Sequence, residues 1–91
     1  MTMVTLLQTT QYKKDLKRHK HDKEKMKALE EILISLTETG TVPEKNKPHM
    51  LSGNYKGHIE CHVLNDFPLI WIDEKTNTIK LVRLGSHSEL F

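Results

Sequence analysis

The sequence predicts an α+β fold, with two N-terminal helices packed on one face of a small, mostly antiparallel four-stranded twisted sheet, in the order βααβββ. Two patterns support this prediction. Apolar residues in the first half repeat with the period of a helix, whereas from residue 59 they alternate with polar residues, as in strands with one buried face. The chain has 91 residues, so we treat residues 1–91 as a single domain.

The first half is predicted to contain one strand and two helices. Residues 3–8 are apolar and partly β-branched, which is typical of a strand. Thr9 or Thr10 can cap a short amphipathic helix over residues 11–19, and Asp22 can cap a second helix. The second helix has an apolar stripe that favours a place in the core, and Gly40 sits where such a helix ends. The stripe consists of Met26, Leu29, Ile32, Leu33 and Leu36.

The second half is predicted to contain a connector and three strands in a meander. Residues 41–55 include Pro43, Pro48 and Gly53, and few apolar residues, which indicates an ordered connector. The strands are expected at residues 59–64, 67–72 and 78–84, separated by polar turns and ended by a Gly-Ser pair.

Composition excludes several classes of protein. The sequence has no run of about 18 apolar residues, so no membrane span is expected. A single cysteine, Cys61, excludes an intramolecular disulfide, and its predicted core-facing position indicates an inert thiol. Residues 1–10 show no secretory signal pattern, so the cytoplasm is the expected compartment. Walker, GxGxxG and GxSxG motifs are missing from the sequence.

Several polar residues could share the sheet face that the helices leave open. Alternation puts Glu60 and His62 on one side of their strand, and Arg83 with His87 can reach the same face. Loops can add two more groups, which makes a cluster of His49, Glu60, His62, Asp66, Arg83 and His87. A base, a cation and an acid suffice to cleave RNA without a metal, although each residue alone could be an ordinary surface group.

Zinc is the competing use of these histidines. His19 and His21 are two residues apart and do not share a helix face. His58 and His62 would lie about 13 Å apart along a strand. We therefore predict no metal site and no cofactor.

The segment from Tyr12 to Lys27 is rich in lysine and arginine, although the net charge of the chain is only +2. Such a block can follow a polyanion, or it can be the solvated face of a helix.

Four segments resemble the RelE-superfamily toxins of bacterial type II toxin–antitoxin systems, and in particular the YafQ family. They are residues 11–17, 47–57, 60–63 and 83–91, and the terminal run RLGSHSELF is the most specific. The resemblance implies a ribosome-dependent mRNA endonuclease that cuts message in the ribosomal A site without a metal and leaves a cyclic phosphate. It also implies a cognate antitoxin, a toxin–antitoxin hetero-oligomer, a free monomer and no membrane association.

The resemblance further implies roles for individual residues. Arg83 would stabilise the phosphate, His87 would be the main general acid or base, and Phe91 would position a base, while the assignment of acid and base stays open. Glu60 falls where relatives often have aspartate. The implied catalytic residues are His49, Glu60, His62, Asp66, Arg83, His87 and Phe91. The residues expected to bind RNA or the ribosome are Lys13, Lys14, Lys17, Arg18, Lys20, Lys47 and Lys56.

Two other functions remain open at this point. The protein could be an inactive module that binds RNA or an antitoxin, because each proposed catalytic residue is also an ordinary surface residue. It could also be a ribonuclease that needs no ribosome, as the high histidine count allows.

Overall fold

The computed structural model describes residues 3–91; residues 1 and 2, which the single-domain prediction includes, lie outside the described residues. The helices and strands are β1 (Thr5–Gln8), α1 (Thr10–His19), α2 (Lys23–Thr39), β2 (His49–Met50), β3 (Ile59–Leu64), β4 (Phe67–Asp73), β5 (Thr78–Leu84) and α3 (His87–Leu90). Two short 3-10 turns, Glu44–Asn46 and Gly53–Tyr55, flank β2. Among these helices, none has the length and apolar character needed to cross a bilayer.

The sheet has five strands in the order β1-β5-β4-β3-β2, and not the four that were predicted. The additional strand, β2, has only two residues and falls in the predicted connector, where it is too short to show any alternation. β1 runs parallel to β5, and the other pairs are antiparallel. A parallel pair needs a long crossover connection, and α1 and α2 form part of it here.

Each predicted helix cap is present. The Thr9 side chain accepts a hydrogen bond from the Tyr12 N–H, and the Asp22 side chain accepts one from the Lys25 N–H. Gly40 ends α2 in the left-handed conformation, at φ 76°, a region that glycine enters without the strain a Cβ would bring. Thr10 is already helical, so α1 begins one residue earlier than expected.

The core lies between the two long helices and one face of the sheet. The predicted stripe of α2 contributes Leu29, Ile32 and Leu36, which are all buried, while the rest of the stripe is partly buried against them. Tyr12 of α1 joins this core, and the buried sheet residues facing it include Cys61, Val63, Leu69, Trp71, Ile79 and Leu81. The packing of both helices on one sheet face is therefore confirmed.

A β-bulge interrupts β5. Ile70 of β4 is opposite Arg83, but its neighbour Trp71 is opposite Leu81, so Val82 is an extra residue in the strand. A bulge shifts the residues beyond it relative to the sheet faces. Uninterrupted alternation would have put Arg83 on the buried side with Leu81; the bulge instead aligns it with Ile70.

The chain ends in a third helix, which was not predicted. The Ser86 hydroxyl accepts a hydrogen bond from the Glu89 N–H, and the Glu89 carboxylate accepts one from the Ser86 N–H at 2.7 Å. This reciprocal capping box satisfies two backbone donors that the start of a helix leaves free. The Gly-Ser pair that was expected to end the last strand thus also begins α3.

Candidate active site

One row of residues crosses four strands of the sheet. His49 of β2 is opposite Glu60 of β3, Glu60 is opposite Ile70 of β4, and Ile70 is opposite Arg83 of β5. Residues opposite one another in a sheet point to the same face. His62 follows Glu60 by two residues and therefore shares its side of the strand.

The centre of the site is the Glu60 carboxylate, which is buried, with 3% of the residue exposed. Three imidazole Nε2 atoms lie around its Oε1 atom, at 3.4 Å for His49, 3.5 Å for His62 and 3.9 Å for His87. The three imidazoles are themselves 39–48% exposed. The site is thus a buried carboxylate beneath three accessible imidazoles, and Glu60 and His62 share one side of their strand as alternation predicted.

His87 is oriented by Asp66. The Asp66 Oδ1 atom accepts hydrogen bonds from the His87 backbone N–H at 2.9 Å and from the His87 Nδ1 atom at 2.8 Å. These two bonds lower the pKa of Asp66, so the carboxylate is charged at neutral pH and Nδ1 must be the donor. The Nε2 atom of His87 is left to exchange a proton with a ligand.

His49 is oriented in a similar way. Its Nδ1 atom lies 2.9 Å from the backbone carbonyl oxygen of Lys47, and a carbonyl can only accept, so Nδ1 donates. The Nε2 atom, on the opposite side of the ring, lies 3.4 Å from the Glu60 Oε1 atom.

Aromatic side chains lie beside the histidines. The rings of His87 and Phe91 are stacked, with centroids 5.8 Å apart and planes 28° apart. Tyr55 meets Phe91 edge to face, with centroids 5.4 Å apart. Phe91 is 59% exposed and so presents a free aromatic surface to solvent next to the imidazoles.

Arg83 lies in the row with Glu60, but the hydrogen bonds of its side chain go to Asp15 of α1 and to Tyr55. Its Nε atom donates to Asp15 at 2.8 Å, and its Nη1 atom lies 3.5 Å from the Tyr55 hydroxyl oxygen. The hydrogen bond to Asp15 raises the pKa of the guanidinium, which stays charged. Arg83 connects to His87 indirectly, through Tyr55 and Phe91.

All seven residues that were expected to bind RNA or the ribosome are exposed. Five of them lie on α1 or directly after it, and Lys47 and Lys56 lie on the loops that flank β2. Arg18 is paired with two carboxylates, at 3.1 Å from Asp15 and 3.2 Å from Glu89. The other six residues of this set are lysines, and none of them has a carboxylate within salt-bridge distance among residues 3–91.

Asp15 and Tyr55 were not predicted from the sequence as members of the site. Asp15 precedes Arg83 by 68 residues and lies in a lysine-rich helix, so no local pattern connects the two. The helix α3 was also missed, although the Ser-x-x-Glu spacing of a capping box was visible at residues 86–89.

Glu60, His62 and His87 could together hold a metal ion. One ligand atom from each lies within 4.8 Å of the others, and imidazole with carboxylate suits zinc or copper. Spacing between histidines that are close in the chain cannot reveal this set, because its members come from β3 and α3.

Solved structures share this fold. A copper-bound mutant toxin from Helicobacter pylori superposes with a TM-score of 0.83 at 31% identity, covering 98% of this chain and 100% of that one. YafQ in the Escherichia coli DinJ-YafQ complex superposes with a TM-score of 0.74 at 30% identity, covering 97% of this chain and 98% of that one. The fold is that of the RelE-like class of small toxins.

Sequence comparison narrows the class to one family. A family model described as the bacterial toxin of type II toxin-antitoxin systems, YafQ, matches residues 4–91. The mRNA interferase toxin YafQ of Escherichia coli strain K12 is 38% identical over 86 residues, which cover 89% of this chain and 88% of that protein. The chain therefore belongs to the YafQ toxin family.

Proposed function

We propose that this protein is the toxin of a type II toxin–antitoxin system and acts as a ribosome-dependent mRNA endonuclease. The observation that carries the proposal is the buried Glu60 carboxylate beneath three imidazoles, one of which is oriented by Asp66. Its relatives in Escherichia coli are named mRNA interferases.

The reaction that suits this site is cleavage of RNA by its own ribose. The 2′-hydroxyl loses its proton and its oxygen bonds to phosphorus, while the bond from phosphorus to the 5′-oxygen breaks. The leaving oxygen takes up a proton, so the products are a 2′,3′-cyclic phosphate and a 5′-hydroxyl. An acid and a base near neutral pH are required, and histidine with a carboxylate supplies both.

We assign the proton donor to His87, because its side chain is 48% exposed and its Nδ1 atom is held by a charged carboxylate. The negative charge of Asp66 stabilises the imidazolium form, as the third member of a catalytic triad does. The Nε2 atoms of His49 and His62 both lie beside the Glu60 carboxylate, and we assign the base to this pair: one of these exposed imidazoles accepts the proton of the 2′-hydroxyl, and the buried carboxylate of Glu60 stabilises the positive charge that results.

Two further residues act on the substrate. Arg83 provides the fixed positive charge that the phosphorane needs, since a guanidinium stays charged and matches phosphate geometry. Phe91 offers a face on which a base of the message can stack.

The exposed cations of α1 and of the loops beside β2 bind ribosomal RNA and message, so the affinity for ribosomes should fall as salt rises. In Escherichia coli, DinJ and YafQ form a toxin-antitoxin complex. We propose that a cognate antitoxin likewise holds this toxin inactive in a hetero-oligomer in the cytoplasm, where ribosomes and message are found.

Primer extension on a message translated by purified ribosomes tests the proposal. We expect the wild-type protein to cut within codons, and His87→Ala to cut about 10²- to 10⁴-fold more slowly, the usual contribution of general acid–base catalysis. His21→Ala is the matched control, because this exposed histidine lies outside the cluster and its loss should leave cleavage unchanged.

Two further measurements, cleavage of naked RNA and binding of the antitoxin, separate the other two functions. Cleavage of naked RNA at the rate seen on ribosomes would identify a ribosome-independent ribonuclease. Intact antitoxin binding without any cleavage by the wild-type protein would identify an inactive binding module.

A further inference from the structure

We propose that Asp15 is a positioning residue for the cleavage reaction: it holds the Arg83 guanidinium side-on, so that the opposite edge, which carries Nη1, faces the scissile phosphate. The inference rests on the proposed function, since it assigns a task to Arg83 in that reaction. Asp15 itself does not touch the substrate, because only 1% of its side chain is exposed.

Asp15 receives an unusual number of donors. Its Oδ2 atom accepts from Arg83 Nε at 2.8 Å and from the Leu84 N–H at 3.0 Å. Its Oδ1 atom accepts from Arg83 Nη2 at 3.4 Å, from Arg18 at 3.1 Å and from Gln11 at 3.2 Å. The carboxylate is thus anchored to the backbone at the end of β5 and to its own helix, and its position is fixed from both sides.

The contacts with Asp15 leave a defined part of Arg83 available. Nε and Nη2 both point to the carboxylate, which is a side-on pairing, and Nη1 is on the opposite edge. Among residues 3–91, the one hydrogen-bond partner of Nη1 is the Tyr55 hydroxyl, at 3.5 Å. That hydroxyl donates to the Leu90 carbonyl of α3 at 3.3 Å. The guanidinium therefore lies between α1 and the helix that carries His87.

This arrangement is costly unless the charge of Arg83 has a use. Burying an ion pair requires removing both charges from water, and an apolar pair of similar volume is often at least as stable. The Leu84 N–H needs only a neutral acceptor, which an asparagine would supply. A carboxylate is specifically required to keep a charged guanidinium in one orientation, and a preorganised cation is what a phosphorane transition state needs.

A double-mutant cycle tests the role of Asp15. Single-turnover cleavage of ribosome-bound message is measured for wild type, Asp15→Asn, Arg83→Ala and the double variant, with rates corrected for the folded fraction. We expect Asp15→Asn to slow cleavage 10- to 100-fold when Arg83 is present and less than twofold when Arg83 is alanine. Asp22→Asn is the matched control, because it removes the N-cap carboxylate of α2, which also accepts a backbone N–H. Its cleavage rate should stay within twofold of the wild-type rate.

The outcomes separate the two proposals. If Asp15→Asn slows cleavage by the same factor with and without Arg83, Asp15 is merely structural and the positioning role is overturned. If the wild-type protein cuts no message on ribosomes, the proposed function fails, and the positioning role fails with it. Cleavage by wild type combined with an additive cycle overturns the positioning role alone.

A second measurement covers the case in which Asp15→Asn does not fold. The Nε–H of Arg83 should give a nuclear magnetic resonance signal in the wild-type protein that is protected from exchange with water, since it is bonded to a buried carboxylate. Rapid exchange of the Nε–H with water would overturn the proposal, because it would show that Asp15 does not hold this edge of the guanidinium.

Discussion

A single carboxylate oxygen, Oδ1 of Asp66, determines the orientation of the His87 imidazole. It binds both the backbone N–H and the Nδ1 atom of His87, so the first residue of α3 and its side chain are held by the same acceptor. Asp66 can do so because it has a positive φ of 48° in the turn between β3 and β4, a conformation that aspartate tolerates better than most residues.

We expect Asp66→Asn to slow cleavage by about 10²-fold, the lower end of the contribution of general acid–base catalysis. The amide keeps an acceptor for the backbone N–H, but it lacks the charge that stabilises the imidazolium. Single-turnover cleavage of ribosome-bound message measures the effect. Asp73→Asn, which alters an exposed turn carboxylate bonded to the Lys75 N–H, is the control and should cut like wild type. Equal rates for Asp66→Asn and wild type would contradict the assigned role.

Cys61 illustrates what alternation along a strand can predict. The sequence indicated a core-facing and inert thiol between Glu60 and His62, and the residue is indeed fully buried. Burial, together with the nearby charge of Glu60, raises the pKa of this thiol to about 12.

The native protein should therefore resist alkylation at pH 8. Iodoacetamide labelling followed by mass spectrometry is expected to leave Cys61 unmodified in the folded protein and to modify it fully after denaturation, because the thiolate is the reactive form. Equally rapid labelling of both states would show that the thiol is accessible and ionised.

At the scale of secondary structure, α3 is the element on which the site depends most. It has four residues, of which His87 is the first, and Phe91 directly follows the last. A helix this short has almost no stability of its own, so its capping box and its contacts with the rest of the protein must hold it in place.

Ser86→Ala should release α3 without unfolding the protein. Loss of an N-cap hydroxyl costs about 1 kcal/mol, so the fraction of molecules in which α3 is folded, and with it the cleavage rate, should fall by up to about fivefold. Faster hydrogen exchange of the Leu90 N–H should accompany the slower cleavage, while the urea midpoint changes little. Ser52→Ala removes a serine that begins a 3-10 turn without a side-chain cap, and it should have neither effect.

The elements that the sequence could predict are those with a local signal. Thr9, Asp22 and Gly40 mark helix ends through their own side chains or φ angle, and β3 and β5 have the predicted bounds. The strand β2 and the bulge at Val82 have no such signal. A two-residue strand has no period, and the bulge allows Leu81 and Leu84, three residues apart, both to be buried, which simple alternation does not predict.

At the scale of the whole molecule, the candidate site joins groups that are far apart in the chain. Residue types and the family resemblance could identify His49, Glu60, His62 and His87, and the fold brings these four together. The sequence could not show that Glu60 is buried or that Arg83 pairs with Asp15. Both depend on how α1 and the loops cover the sheet, which is a property of tertiary packing.

The long-range ion pair predicts how stability depends on pH. Burial opposes ionisation of Asp15, but hydrogen bonds from Arg83, Leu84 and Gln11, with the charge of Arg83, outweigh it and lower the pKa. A pKa that is lowered in the folded state stabilises the protein above the unfolded-state value of about 3.9, and this stabilisation is lost as the pH falls through the folded value.

The free energy of unfolding should therefore decrease as the pH falls from about 5 to 2, and less steeply in Asp15→Asn. Urea unfolding at a series of pH values measures both slopes. The same acid dependence in Asp15→Asn as in wild type would show that other carboxylates dominate.

If the cluster around Glu60 activates a ribose hydroxyl of the message, cleavage must depend on that hydroxyl. Single-turnover cleavage can be compared for two ribosome-bound messages that differ only in a 2′-hydroxyl or a 2′-hydrogen at the scissile nucleotide. We expect the first message to yield a 2′,3′-cyclic phosphate, identified by mass spectrometry, and the second to stay intact. Cleavage of the 2′-deoxy message at a comparable rate would show that the ribose hydroxyl is not the nucleophile.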